Sequence, residues 1–216
     1  MSKYVVVDLE MCNVPRGIKR DQFKWKNELI QIGAVLLDES LEITDKFMTY
    51  VSPEFGVIDT YIENLTGISR ENIKNAPCTK SALESFISWL PDDAVLVSWS
   101  ENDENQIRKE LDGKSLEIDG LNKYLDNWVD CQKTFGKKMN AEKNYKLSEA
   151  LIIADIDLED GEHDALVDAR NTAYLFAKME REPELKLNPY YTSTDTDETS
   201  MYNPFAELLA NYKFAV

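Results

Sequence analysis

Histidine is almost missing from this 216-residue chain: His163 is the only one. Cysteine is scarce too, and the three present, Cys12, Cys78 and Cys131, are odd in number and lack the paired spacing of a zinc ribbon. That argues against a disulfide framework and fits free thiols in a reducing compartment, so a cytoplasmic location is expected. No stretch reaches the roughly 18 apolar residues of a membrane span, and no apolar core follows a positive N-terminal region, so neither a membrane segment nor a standard export signal is expected. Positive charge is short as well: 24 Lys and Arg face 40 Asp and Glu, a formal net charge of −16. Such a balance repels nucleic acid unless the cations are gathered locally. GxGxxG does not follow the first apolar run, which excludes the dinucleotide-binding pattern of a doubly wound domain.

What is present is a chain with 43% hydrophobic residues, long enough to bury its own core. Tyr4–Leu9 is a β-branched run too continuous for a strand with one wet face, and it reads as the central, doubly covered strand of a sheet. Leu29–Leu37 and Lys46–Val51 read as two more strands, joined by an acidic turn near Asp38–Ser40, which together with the first suggests an antiparallel meander. Residues 52–75 read as irregular with a short helix or two. A helix over Ser81–Leu90 stops at Pro91, and a strand at Ala94–Trp99 and a helix over Asn102–Leu111 follow. Asn127–Asp130 reads as a short strand, Ser148–Ala154 opens a helix, and Ala165–Glu180 is the clearest helix, with Ala169, Ala173, Phe176 and Ala177 on one face. Strands in series followed by alternating helices and strands predict a mixed α/β sheet of five strands. Thr192–Ser200 reads as an acidic linker before a last short helix at Pro204–Asn211.

Asp8 and Glu10 end the first strand at i and i+2, so strand alternation points both carboxylates to one face. Such a pair either ends a strand in solvent or holds a divalent ion. Asp103, after the VLVSW strand, is either a charge at a helix start or a third member of the same group. His163 and Asp168 lie in GEHDALVDA. Five residues apart on one helix would splay them by about 140°. The reading that unites them places His163 in the loop and Asp168 in the helix's second turn.

Taken together, Asp8, Glu10, Asp103 and Asp168, with His163 five residues before the last, resemble the DEDDh family of 3′-to-5′ exonucleases. LTGI at Leu65–Ile68 and SWSEND at Ser98–Asp103 extend the likeness, the second being similar to the Eri-type and KapD-like branch. The resemblance spans about residues 4–180. It departs at Met11 and Cys12, where most relatives have a Thr, and at Ser100, where the branch has Gly. It implies a ribonuclease H-like sheet flanked by helices, with residues 1–182 as the exonuclease domain and 183–216 as a C-terminal extension. It also implies two divalent ions, Mg²⁺ or Mn²⁺, with Asp8 bridging both, Glu10 and Asp168 holding the one that activates water, and Asp103 supporting the other. His163 would take the water's proton. Leu9, Met11, Leu65, Thr66 and Trp99 would grip the 3′ end, Leu65 as a wedge or else as a core leucine. Implied alternatives are a binding protein that retains a nuclease fold and a proofreading subunit of a polymerase.

The missing positive charge concentrates in two stretches. Arg16–Lys26 has five basic residues and one acid, with Phe23 and Trp25 between them; Lys133–Lys146 has five lysines and one acid, with Phe135 and Tyr145. Cations interleaved with aromatic rings are how single strands are commonly held. Arg20 and Lys24 are the cations expected to guide single-stranded nucleic acid to the carboxylates; the alternative is two solvated loops.

Overall fold

The computed structural model describes residues 3–191. Three strands open the fold, β1 (Lys3–Asn13), β2 (Asn27–Leu37) and β3 (Ile43–Tyr50), and pair as the antiparallel meander. Helices α1 (Thr60–Thr66), α2 (Arg70–Ile73) and α3 (Thr79–Trp89) follow. Next come β4 (Ala94–Ser98), α4 (Glu101–Gly113), α5 (Leu121–Leu125), β5 (Val129–Asp130), α6 (Cys131–Lys138), α7 (Leu147–Ile153) and α8 (Ala165–Arg181). The sheet order is β3-β2-β1-β4-β5, with β4 parallel to β1 and β5 parallel to β4. β1 is therefore central, as its sequence requires.

Alternation along β1 sends Val5, Val7 and Leu9 into a core with α3, α4 and α5, and Val6 into a core with α6, α7 and α8. Asp8 and Glu10 share the parity of Val6, so both carboxylates belong to the α8 face. β1 runs on to Asn13 because, after a one-residue register shift between Glu10 and Met11, Met11–Asn13 pair with Asn27–Leu29. Two helices were not legible. α5 is short, and α6 lies within the lysine-rich stretch, where its helicity comes from the Asp130 cap on Lys133 N–H (2.8 Å) and from burial of Phe135. Leu185 and Tyr191 pack on the α8-side core, and Asn188 N–H donates to the Ile153 carbonyl at 2.8 Å. The expected linker Thr192–Ser200 and helix Pro204–Asn211 lie outside the described residues. Among the described residues no helix is long and apolar enough to cross a membrane.

Two devices lock the helices that carry site residues. The first seats α8. Gly33 of β2 lies directly under the helix start, and a Cβ there would fall far inside van der Waals contact with the Ala165 and Leu166 backbone. Gln31 Oε1 accepts the Ala165 N–H at 3.1 Å, while the Asp164 carboxylate caps Leu166 and Val167 at 2.9 and 3.2 Å. Three of the donors that a helix start leaves unpaired are thereby satisfied. The second device holds α4. Buried Glu110 accepts the Leu29 N–H at 2.6 Å and pairs with Lys114 at 2.8 Å; Lys114 also pairs with buried Glu28 at 2.5 Å. Glu28 in turn accepts the backbone N–H groups of Glu54, Phe55 and Gly56. A buried charge group of this kind survives because every member is paired or hydrogen-bonded.

Gly33→Ala should cost about 1–3 kcal/mol by overpacking, and it should displace α8 from the sheet. Urea melts measure the first effect. A variant of wild-type stability and activity would show that the helix seat is not tight.

Candidate active site

β1 delivers Asp8 and Glu10 side by side on the α8 face. β4 pairs with β1 only from Lys3 to Val6, so the Leu9 N–H beyond it has no strand partner on that edge. Asp103, in the first turn of α4, fills the gap: its Oδ1 accepts that N–H at 3.1 Å. The carboxylate is thereby pinned beside Asp8 and Glu10. α8 brings the fourth. Asp168 closes the first turn of the helix, which starts at Ala165 as the sequence reading placed it. Gly161 (φ 111°) and His163 (φ 68°) both take left-handed backbone just before the helix. That conformation is uncommon for a residue with a side chain. It turns the His163 N–H onto Asp168 Oδ2 at 2.9 Å. One ligand atom each of Glu10, His163 and Asp168 lie within 4.8 Å of one another.

The electrostatics are strained. Burial, then Asp103, Asp168 and Glu10, push the Asp8 carboxyl well above the usual carboxylate range. Burial, then Asp168 and Asp103, raise Glu10 to about 8, and burial raises Asp103 to about 7 despite its hydrogen bonds. Asp168 is raised by burial and partly relieved by the His163 N–H. Among the described residues no Lys or Arg pairs with any of the four. An oxygen-rich, cysteine-free set of crowded carboxylates fits a hard divalent cation, whose charge supplies what the side chains lack.

The residues expected to touch substrate divide. Leu65 is exposed on α1, with Tyr61 exposed one turn before it, so the core alternative for Leu65 does not hold. Trp99 is half-buried against Phe135 and lines a cavity beside His163 and Asp168. Leu9 is buried in the α3 to α5 core and Met11 packs against that core; only the Leu9 backbone faces the carboxylates. The Thr66 hydroxyl is spent on the Ile62 carbonyl and the Ile68 N–H. Arg20 is exposed, whereas Lys24 is tied to Asp112 at 2.8 Å.

The expected base-stacking rings are a correction. Phe23 is buried against Phe55, and Phe135 packs edge-on against buried Tyr145. Trp25 donates to Asp112 and has Lys24 and Lys109 over its ring. Phe23, Phe135 and Tyr145 anchor inward, because an apolar ring gains more by burial than by solvent exposure, and Trp25 stays half-buried. Gln31, Gly33 and Asp164 escaped the sequence reading. Glycine within the β-branched run LIQIGAVLL was the one available signal, since glycine inside a strand marks a close backbone approach.

A family model described as exonuclease, of the ribonuclease T type, matches residues 5–176. The chain therefore belongs to this family of exonucleases. It is 30% identical to the DNA polymerase III subunit epsilon of Aquifex aeolicus, over 88% of this chain and 87% of that one. It is also 30% identical to the ERI1 exoribonuclease 2 of Danio rerio, covering 74% of this chain but only 32% of the relative. In fold it is similar to the nuclease domain of 3′hExo, a DEDDh family member bound to rAMP: TM-score 0.72, 23% identity, 87% of this chain and 96% of that one. E. coli exonuclease I in complex with a dT13 oligonucleotide is a more distant likeness, at TM-score 0.62, 15% identity, and 86% and 42% coverage.

Raised carboxyl pKa values make the metal-free protein pH-sensitive. A carboxyl that holds its proton more tightly when folded adds stability below its unfolded pKa of about 4, and loses it as pH climbs through the folded value. With Glu10 near 8 and Asp103 near 7, that loss spans about pH 4 to 8. In chelator, the melting temperature of Asp8→Asn should gain on wild type as pH rises from 5 to 8, and Mg²⁺ should close the gap. A constant difference at both pH values would mean that the carboxylates do not repel one another.

Proposed function

We propose that this chain removes nucleotides one at a time from the 3′ end of single-stranded nucleic acid, RNA in preference to DNA, and releases nucleoside 5′-monophosphates. The observation that carries this reading is the convergence of Glu10, His163 and Asp168 within 4.8 Å, with Asp8 and Asp103 close enough to act electrostatically on the same carboxylates. Asp8, Glu10, Asp103 and Asp168 would hold two divalent ions, Mg²⁺ or Mn²⁺. When bound, the ions favour ionisation of the attacking water and stabilise charge on the departing oxygen.

The chain's own residues do the rest. A ring nitrogen of His163 takes the proton of the attacking water, a task suited to imidazole at neutral pH. The new bond joins the water oxygen to phosphorus, and the bond to the 3′ oxygen of the preceding nucleotide breaks. His163 is exposed, so its proton passes to solvent between turnovers. Its hydrogen bond to Asp168 fixes the loop and thus the ring's origin. Leu65 and Trp99 bracket the terminal nucleotide, and Arg20 steers the strand. The RNA preference rests on relatives named as exoribonucleases. A second reading, a proofreading subunit acting on frayed DNA ends, is favoured by the likeness to polymerase III epsilon. End-labelled RNA and DNA oligonucleotides assayed with each metal and with chelator separate the two.

His163→Ala should lower kcat about 10²- to 10⁴-fold, the usual size of a general-base contribution, with metal binding little changed. Raising the pH should restore part of the rate, and an unaltered pH profile would remove the base role. A 3′-phosphate on the oligonucleotide should block degradation. Products from internal cuts or from the 5′ end would overturn the direction.

A further inference from the structure

Beside His163 and Asp168 opens a cavity of about 590 Å³, walled by the Trp99 to Asn102 corner on one side and by Asn144 to Ser148 on the other. Lys146 is the one lysine or arginine among its lining residues, which include the acids Glu162 and Asp168. Three lysines of the same stretch are occupied, and Lys137 is not among the residues that line the cavity. Lys133 pairs with Glu101 and Asp130, Lys143 with Glu149, and Lys138 donates to the carbonyls of Glu182 and Pro183. Lys146 is exposed, makes no ion pair with any described residue, and its side chain caps nothing although it stands at the start of α7. A cation held free on the wall of an otherwise acidic cavity has no structural task there.

A strand entering this cavity carries two kinds of phosphate. The one that reacts is drawn to the carboxylate site. Its neighbour toward the 5′ end does not react, keeps its full charge, and needs a cation where the wall is acidic. The geometry points to Lys146 as the residue that binds this non-reacting phosphate, through Nζ, and so makes a substrate with a second phosphate better than one without. This assignment rests on the exonuclease reading and adds a substrate requirement to it. Lys146 touches substrate away from the reacting atoms, so it is a specificity residue whose contribution appears in discrimination between substrates.

The two dinucleotides UpU and pUpU differ only in that second phosphate. Wild type should favour pUpU in kcat/KM by about tenfold or more, the worth of a hydrogen bond between charged groups. Lys146→Ala should bring the ratio close to one, and Lys146→Arg should restore most of it. Lys46→Ala, on β3 at the far edge of the sheet, is the charge-matched control. Independently of turnover, binding of a fluorescein-labelled uridine decamer in Ca²⁺ should weaken in Lys146→Ala, with the slope of log affinity against log salt flatter by about 0.7. If wild type degrades RNA but Lys146→Ala changes neither ratio nor slope, the Lys146 assignment falls alone. If wild type degrades nothing yet binds the decamer through Lys146, the phosphate site stands and the nuclease reading falls. Absence of both cleavage and binding would overturn both.

Discussion

The contact of the α8 start with the backbone of β2 at Gly33 is the constraint from which the site follows. Because no side chain intervenes, the helix comes down onto the sheet beside β1, and Gln31 and Asp164 satisfy the donors that its first turn exposes. Asp168 then lies above Glu10, and the left-handed residues before the helix turn His163 toward the same point. A helix held further from the sheet by a methyl group would keep its hydrophobic face and lose the cluster.

That cluster sets function against stability. Four carboxylates are gathered with no counter-cation among the described residues, and each resists ionisation, first because it is buried and then because other acids lie close by. The scaffold must therefore hold them by other means. Asp103 is held by the Leu9 N–H at the place where β4 has ended, and α4 is held at its other end by Glu110 on the Leu29 N–H. Seven residues apart, these two acids lie on one face of the helix and bind backbone of adjacent strands. Lys114 and Glu28 complete the second anchor and extend it to residues 54–56, just before α1 and exposed Leu65.

The charge balance has a matching logic. About half of the lysines in the two basic stretches are committed within the fold to acids or carbonyls, and the rings of Phe23, Phe135 and Tyr145 between them are buried. Among the described residues that line the cavity beside His163, Lys146 is the one lysine or arginine.

The order of strands and helices, the central place of β1, and the pairing of Asp8 with Glu10 on one face were legible because each depends on local periodicity. The candidate set of Asp103, His163 and Asp168 was legible too, as a resemblance of motifs. The short α5 and α6 were not, since a helix of one or two turns is stabilised by its cap and by its tertiary contacts rather than by its own pattern. Nor were the roles of Lys24, Phe23 and Tyr145, because a sequence shows that a ring or a cation is present and not which partner claims it. Residue types and local spacing were enough to nominate the candidate site residues and the kind of element on which each stands. Only the tertiary structure decided their distances, their raised pKa values, the Gly33 seat and the freedom of Lys146, because those depend on groups brought together from distant parts of the chain by packing.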